Sequence, residues 1–526
     1  METLLTTLTP KRDRSVGSAD LHGPAQPRIP PRDHHRRFLQ WDAAAAVQRY
    51  ASQGVAACRR EGQRLALDLF HDMATRVPAY RDFLARNGIV PAKVRGAEDL
   101  QVVPPIDKGN YIDAYPLPDR CWDGFVSGAS MLSASSGSTG VPYLWLRGDE
   151  QTCHGAMMSE VIYREFFDVA AKPTLYLITF GMGLWIAGTY MLAATQWTAQ
   201  KGLPITVATP GLNTSEVLKL VRLAGVHYHQ IVLVGLPAFL KDIIDTGVAE
   251  GIDWMARPVR LLVSGESITE RWRDYVLTRT GLDATAGVIN LYGSADVGLM
   301  AHETTTSIQL RRLAHDDRRL CSALFGADRV PSLNQFDPRL RWFEPLRDEL
   351  LVSVRAGIPL LRYNTKDVGS VLSFAEVQER LRAAGYPESL EAGSRPTWRL
   401  PMVYLFGRGK FSATLFGITL FPEYFKQVLD SRDLSSLVTG RFMAVTEENE
   451  HCGQQLRLRV ELRPGSVPDR RLEQAVRETF IRELPQVSAE YRHLLGAVSE
   501  RAHPLVTLHE FGDAAYFPNG IVRKTS

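Results

Sequence analysis

Cysteine is scarce in this chain. Its five cysteines in 526 residues, Cys58, Cys121, Cys153, Cys321 and Cys452, form neither a CxxC pair nor a dense framework. A disulfide-stapled secreted domain is thereby excluded, and a reducing cytoplasm is the expected compartment. A dominant charge sign is also missing: 61 Lys and Arg face 58 Asp and Glu, a net charge of +3. That balance gives no electrostatic case for nucleic acid, so small molecules are the expected partners. Long unbroken hydrophobic runs are absent as well. Residues 173–200 carry no formal charge, but Thr179, Thr189 and Thr195 with Gly181, Gly183 and Gly188 interrupt them. They read as a strand, a glycine turn and a buried helix, and no membrane partner is expected. The first 14 residues offer only Leu4-Leu5 before Lys11 and Arg12, too little for a signal-peptide core. No Walker spacing occurs, and Gly181-Met182-Gly183 lacks the third glycine of a dinucleotide fingerprint.

What is present is ordinary globular composition, 45% hydrophobic and 23% charged, in a chain too long for one compact core. Residues 1–37 hold Pro10, Pro24, Pro27, Pro30, Pro31 and the basic run Arg32, His34, His35, Arg36, Arg37, and are expected to be a mobile tail. From residue 43 to residue 87 the apolar spacing is helical. Strands then alternate with helices: 231–234 before 237–247, 259–263 before 269–280, then 288–291. This predicts an α/β domain with a largely parallel sheet flanked by helices, whose ligand sites lie at the strand ends. A boundary is expected near Phe406, followed by a strand pair around Leu405 and Leu415, a helix at 422–429, a strand at 456–462 and a helix at 469–483. The predicted domains are thus 38–406, binding nucleotide and acid, and a small mobile α+β domain, 407–526.

The strongest local motif is Ser133-Ala134-Ser135-Ser136-Gly137-Ser138-Thr139-Gly140-Val141-Pro142, between two strand-like stretches. Its glycines let backbone N–H groups converge, and Ser135, Ser136, Ser138 and Thr139 add hydroxyl donors, so the run is suited to phosphate. A flexible Gly/Ser linker is the plainer reading, but a linker seldom sits between strands and ends in Gly-x-Pro. His227 and His229 alternate on one strand face with no Cys or carboxylate beside them, and read as packing rather than metal ligands.

Taken in order, the motifs resemble those of the adenylate-forming superfamily, which contains acyl-CoA synthetases, peptide-synthetase adenylation domains and luciferases. The serine-glycine run resembles its phosphate loop, and Ser264-Gly265-Glu266-Ser267 its adenine-side loop. Leu291-Tyr292-Gly293-Ser294-Ala295-Asp296 resembles Tyr-Gly-x-Thr-Glu, and Arg362-Tyr363-Asn364-Thr365-Lys366-Asp367 resembles Tyr-Arg-Thr-x-Asp. Gly407-Arg408 with Gly417 and Phe421-Pro422 resembles the hinge and the first turn of the C-terminal domain. The fine pattern is most similar to the phenylacetate-CoA ligase branch, including relatives that activate aromatic acids in phenazine antibiotic biosynthesis.

The resemblance implies ATP, Mg²⁺ and, as acceptor, CoA. It implies nucleotide contacts from Ser135, Ser136, Gly137, Ser138, Thr139, Gly140, Gly265, Glu266 and Gly293. Tyr292 would offer a face to adenine, Asp367 and Arg408 would hold the ribose hydroxyls, and Asp296 would be the metal-associated carboxylate. The acid pocket is placed among Trp185, Tyr228 and Gly235, whose aromatic rings suit a flat acid, and Lys410 is the hinge. A carrier protein or a partner reductase is the alternative acceptor, and a non-catalytic nucleotide-binding protein is the alternative outside catalysis. Three departures stand out: Asp296 replaces Glu, Phe411 replaces a second Asp, and Ile521 follows Gly520 where the family has its catalytic lysine. Lys524 substitutes for that lysine only if the loop has slipped.

Overall fold

The computed structural model describes residues 33–135, 142–184, 186–386, 397–408, 413–429 and 431–517. A two-stranded antiparallel ribbon comes first, β1 (Met131–Ser135) with β2 (Tyr143–Arg147). The strands of the main sheet follow: β3 (Thr174–Ile178), β4 (Ile205–Ala208), β5 (Gln230–Gly235), β6 (Val259–Ser264), β7 (Val288–Ser294), β8 (Gly298–His302), β9 (Ser332–Gln335), β10 (Trp342–Leu346), β11 (Glu349–Val354), β12 (Leu360–Leu372) and β13 (Met402–Arg408). They make one 11-stranded sheet in the order β10-β11-β12-β13-β9-β8-β7-β6-β5-β3-β4.

The parallel register expected from the alternation holds for β4-β3-β5-β6-β7, and from β8 onward the sheet continues antiparallel. β3 and β5 are buried along their whole length, as strands covered by helices on both faces must be. Helix ends follow capping chemistry. Pro237 opens the helix Pro237–Ala249, while Thr269 caps Glu270–Thr280, whose last turn closes on Gly281 at φ 64°. A fully buried ion network ties that helix to the sheet. Arg273 bonds Glu270 at 3.0 Å and Glu303 at 2.7 Å, and Arg311 bonds Glu303 at 2.6 Å. Charge inside the network balances, which is what burial requires.

A second core belongs to the C-terminal part. There β14 (Ala413–Leu415) pairs with β15 (Ile418–Leu420), and β16 (Val438–Glu448), β17 (Gln454–Leu462) and β18 (Leu505–His509) form a separate sheet. Along β17, Leu456, Leu458, Val460 and Leu462 turn inward onto Val476, Phe480 and Leu484 of the helix Arg470–Val487.

Several expectations change in detail. Residues 34–37 of the expected tail begin a helix, His34–Gln40, which buries Phe38 and sets His35 against Trp197 at 4.7 Å. The helical stretch at 43–87 is broken into Ala43–Ser52, Val55–Arg76 and Pro78–Arg86. Leu405 and Leu415 do not pair: Leu405 faces Gly369 and Ser332 within the main sheet, and β13 runs past Phe406 to Arg408. His227 ends a single 3-10 turn and His229 precedes β5, both exposed rather than packed on a strand. The uncharged stretch 173–200 forms β3 and the helix Ile186–Ala199, and no described helix is long and apolar enough to cross a membrane.

Candidate active site

The described residues converge where β7 leaves the parallel half of the sheet, at the carboxyl ends of its strands. Two tyrosine–aspartate pairs cross there in opposite senses. Tyr292 of β7 donates to Asp367 of β12 at 2.6 Å, and Tyr363 of β12 donates to Asp296, in the turn between β7 and β8, at 2.7 Å. Both aspartates are buried, at 5% and 6% exposure. β12 reaches across because it is irregular. Register shifts interrupt its pairing with β11, and Arg362 and Lys366 take left-handed conformations at φ 49° and 61°. Arg408 is the register partner of Asp367 on β13.

The turn carrying Asp296 is held from behind through its backbone. Arg147 donates to the carbonyls of Ala295 and Asp296, the latter at 3.4 Å, and to Ser133 Oγ at 3.1 Å. Gln151 donates to Val297 O at 2.6 Å and Arg341 to Leu299 O at 3.0 Å. Burial pushes the Arg147 guanidinium down to about 10, still protonated at neutral pH. The glycines let the hairpin close. A Cβ on Gly298, whose φ is +85°, would stand 2.9 Å from Gln151 Nε2, and one on Gly293 would stand 3.0 Å from Gly298 O.

A cation completes the group. Lys108 Nζ lies 3.3 Å from Asp296 Oδ1 and 3.4 Å from Ser135 Oγ, above the Tyr143 ring at 4.9 Å. Ser135, the last residue of β1, also accepts the Trp145 indole N–H at 2.8 Å.

With this geometry in place, comparison with solved structures gives a 2-hydroxyisobutyryl-CoA ligase in complex with 2-HIB-AMP and CoA, in its thioesterification state. It aligns at a TM-score of 0.61 and 15% identity over 90% of this chain and 90% of that one. The same enzyme in its postadenylation state with R3-HIB-AMP aligns at 0.53 and 14% identity, over 90% and 89%. This chain shares their fold. No family model and no curated protein matches the sequence.

The positions singled out in the sequence divide into four groups. Tyr292, Gly293, Asp296, Asp367, Ser135 and the backbone of Arg408 come together. Tyr292 is buried, with its ring stacked on Phe343 at 6.0 Å, so that face is already covered by protein. Gly265 and Glu266 sit beside the small domain. Glu266 accepts Gln454 Nε2 and the Gly417 N–H, and a Cβ on Gly265 would stand 3.8 Å from the Gly417 Cα. Burial pushes the Glu266 carboxyl up to about 8, the two hydrogen bonds oppose it, and the Glu448 charge adds to it. Thr269 and Arg271 extend this contact, to the Glu448 carboxylate at 3.1 Å and to Glu450 O at 2.8 Å.

Tyr228 and Gly235 are not brought into the group. Tyr228 lies before the amino end of β5, the far edge from Asp296, and the space above Gly235 is filled by Thr179 Oγ1, 2.1 Å from where a Cβ would be. Residues Ser136, Gly137, Ser138, Thr139, Gly140, Trp185, Lys410 and Lys524 lie outside the described residues, as does the Arg408 side chain. Sequence reasoning missed Lys108, Tyr363 as a partner of Asp296, and the Arg147, Gln151 and Arg341 supports. Only Tyr363 had a signal, being inside a quoted motif.

Proposed function

We propose that the chain is an AMP-forming acid ligase. It would activate a carboxylic acid, an aromatic one, as acyl-AMP and pass the acyl group to a thiol such as CoA. The observation that carries this reading is the crossed pair of buried aspartates, Asp367 and Asp296, beside the start of the serine-glycine run. They lie on a fold shared along nine-tenths of its length with a CoA ligase that binds an acyl-AMP and CoA. The motif pattern favours the phenylacetate-CoA ligase-like branch, and the five dispersed cysteines favour a cytoplasmic enzyme.

Asp367 can accept two hydrogen bonds from a ribose diol while Tyr292 fixes its orientation. An acid carboxylate oxygen then attacks the α-phosphorus. The α–β phosphoanhydride P–O bond breaks, and pyrophosphate leaves with the electron pair. No protein nucleophile is needed, so the work is positioning and charge neutralisation. In the second step a thiolate attacks the acyl carbonyl and AMP departs.

Mg²⁺ favours one or two carboxylates plus phosphate oxygens, and Asp296 supplies one carboxylate suited to it; bound there, the ion would neutralise phosphate charge. No group of three His, Cys, Asp or Glu able to hold a metal occurs among the described residues, which fits a metal shared with the nucleotide.

Acid-dependent exchange of radiolabelled pyrophosphate into ATP across a panel of aryl and fatty acids tests the reading. Exchange in the wild type that is lost in Asp367→Ala supports it. ATP binding without exchange for any acid would replace it with a nucleotide-binding role.

A further inference from the structure

The adenylation proposed above brings two anions together, an acid carboxylate and a triphosphate, and so requires a cation at the α-phosphate. The resemblance gives that role to a lysine near the C-terminus, where this sequence has Ile521. The geometry points to Lys108 instead: its ammonium supplies the charge that holds the α-phosphate and the incoming carboxylate.

Three observations carry the assignment. The first is position. Lys108 Nζ is within 3.4 Å of both Asp296 and Ser135, the residue at which the described part of the serine-glycine run ends, and its side chain is 26% exposed and so open to a ligand. The Ser135 hydroxyl accepts from Trp145 and from Lys108, which leaves its own proton to be donated to an anion.

The second is how firmly the backbone is placed. Ile106 forms a parallel bridge with Tyr363, with Ile106 N bonding Arg362 O at 3.2 Å and Asn364 N bonding Ile106 O at 2.8 Å. Asp107 caps the one-turn helix Lys108–Ile112 through a reciprocal bond with Asn110 and pairs with Lys366 at 2.9 Å. Lys108 is therefore tied to the strand that carries both Tyr363 and Asp367. A flexible four-carbon stem on a fixed backbone lets the ammonium swing from Asp296 to a phosphate oxygen.

The third is that the other described cations around the turn are engaged away from the site. Arg147 and Arg341 are spent on backbone carbonyls. Arg362 serves Leu100 O and Val103 O, and Lys366 faces Asp107.

The test uses the full chain as wild type, Lys108→Met, Lys108→Arg and Lys524→Ala. Affinities for ATP and for adenosine are measured by calorimetry, alongside acid-dependent pyrophosphate exchange. Lys108→Met is expected to weaken ATP at least tenfold while leaving adenosine within twofold, and to lower exchange at least a hundredfold. Lys108→Arg should recover part of both, and Lys524→Ala should stay within threefold of wild type. A lysine that merely neutralised Asp296 would matter to ATP only while that carboxylate is charged, so loss of the Lys108→Met effect on ATP in an Asp296→Asn background overturns the assignment. So does exchange lost in Lys524→Ala and kept in Lys108→Met. A wild type that binds ATP but exchanges with no acid refutes adenylation, while the ATP-against-adenosine comparison still decides Lys108. A wild type that binds no ATP overturns both.

Discussion

Tyr363→Phe removes one oxygen and leaves the ring. Tyr363 is 1% exposed and meets Trp145 edge-on at 6.2 Å and 79°, a packing that phenylalanine keeps. What disappears is the 2.7 Å hydrogen bond to Asp296 Oδ2. A hydrogen bond to a charged acceptor contributes about 1.5–3 kcal/mol, and at 7% side-chain exposure water has little access to replace it. The ion pair with Lys108 falls on the other carboxylate oxygen and does not substitute for it. Urea unfolding should therefore show a loss of about 1.5–3 kcal/mol with an unchanged slope. If Asp296 acts on the nucleotide, exchange should fall as well, by about tenfold per 1.4 kcal/mol carried into the transition state. Tyr292→Phe is the matched control, deleting the equivalent 2.6 Å bond to Asp367. It should cost similar stability but raise the KM for ATP more than it lowers kcat, because Asp367 is assigned to ribose. Stability and exchange both unchanged in Tyr363→Phe would refute the view that these crossed pairs organise the site.

The contact between the two domains gives two further expectations. Gly417 has φ 80°, and a Cβ there would stand 2.5 Å from Leu236 Cδ2, so Gly417→Ala meets both backbone strain and a clash. A loss of about 2–4 kcal/mol in urea unfolding is expected, of which adding Leu236→Ala should return the steric part; a loss that Leu236→Ala leaves untouched would show that the contact is open in solution. Glu266, with its carboxyl raised to about 8, holds a proton in the folded protein across a range where an unfolded glutamate has lost it. Folding then exchanges no proton below about pH 4 and takes one up between about pH 5 and 8, so stability should fall as pH rises through that window. Glu266→Gln should flatten this slope, and an unchanged slope would assign it to another group.

The parts of the fold legible in the sequence are those with one dominant local signal. β3 and β5 are short apolar runs set between turn signals, the pattern of a strand covered on both faces. The helix Pro422–Leu429 and the alternation in β17 were equally plain. The antiparallel half was not, because its order is set by long-range pairing: β13 inserts between β9 and β12, strands remote from one another in sequence. Nothing local in Leu405 says that its neighbours are Gly369 and Ser332. For the same reason Tyr228 was placed near a pocket, when its position before β5 puts it at the opposite edge of the sheet.

The site shows a sharper division. Asp296 and Asp367 were legible because each ends a stretch that resembles a family motif, and the structure adds that Asp367 of β12 is held by Tyr292 of β7 and Asp296, in the turn after β7, by Tyr363 of β12. Lys108 carried no motif at all. It stands 27 residues before Ser135 and 188 before Asp296, in a segment whose only visible feature was the prolines preceding it. Its place is set by the bridge of Ile106 against Tyr363 and by the Asp107 pair with Lys366, both on β12, where β13 ends at Arg408 opposite Asp367 and Arg362 O and Asn364 N bond the passing strand instead. The strand that carries Tyr363 to Asp296 is thus the same one that admits Lys108, so the carboxylate and its counter-charge are placed by one element. A substitution that displaced β12 at Tyr363 should lose both together, which no scan of the two residues separately would reveal.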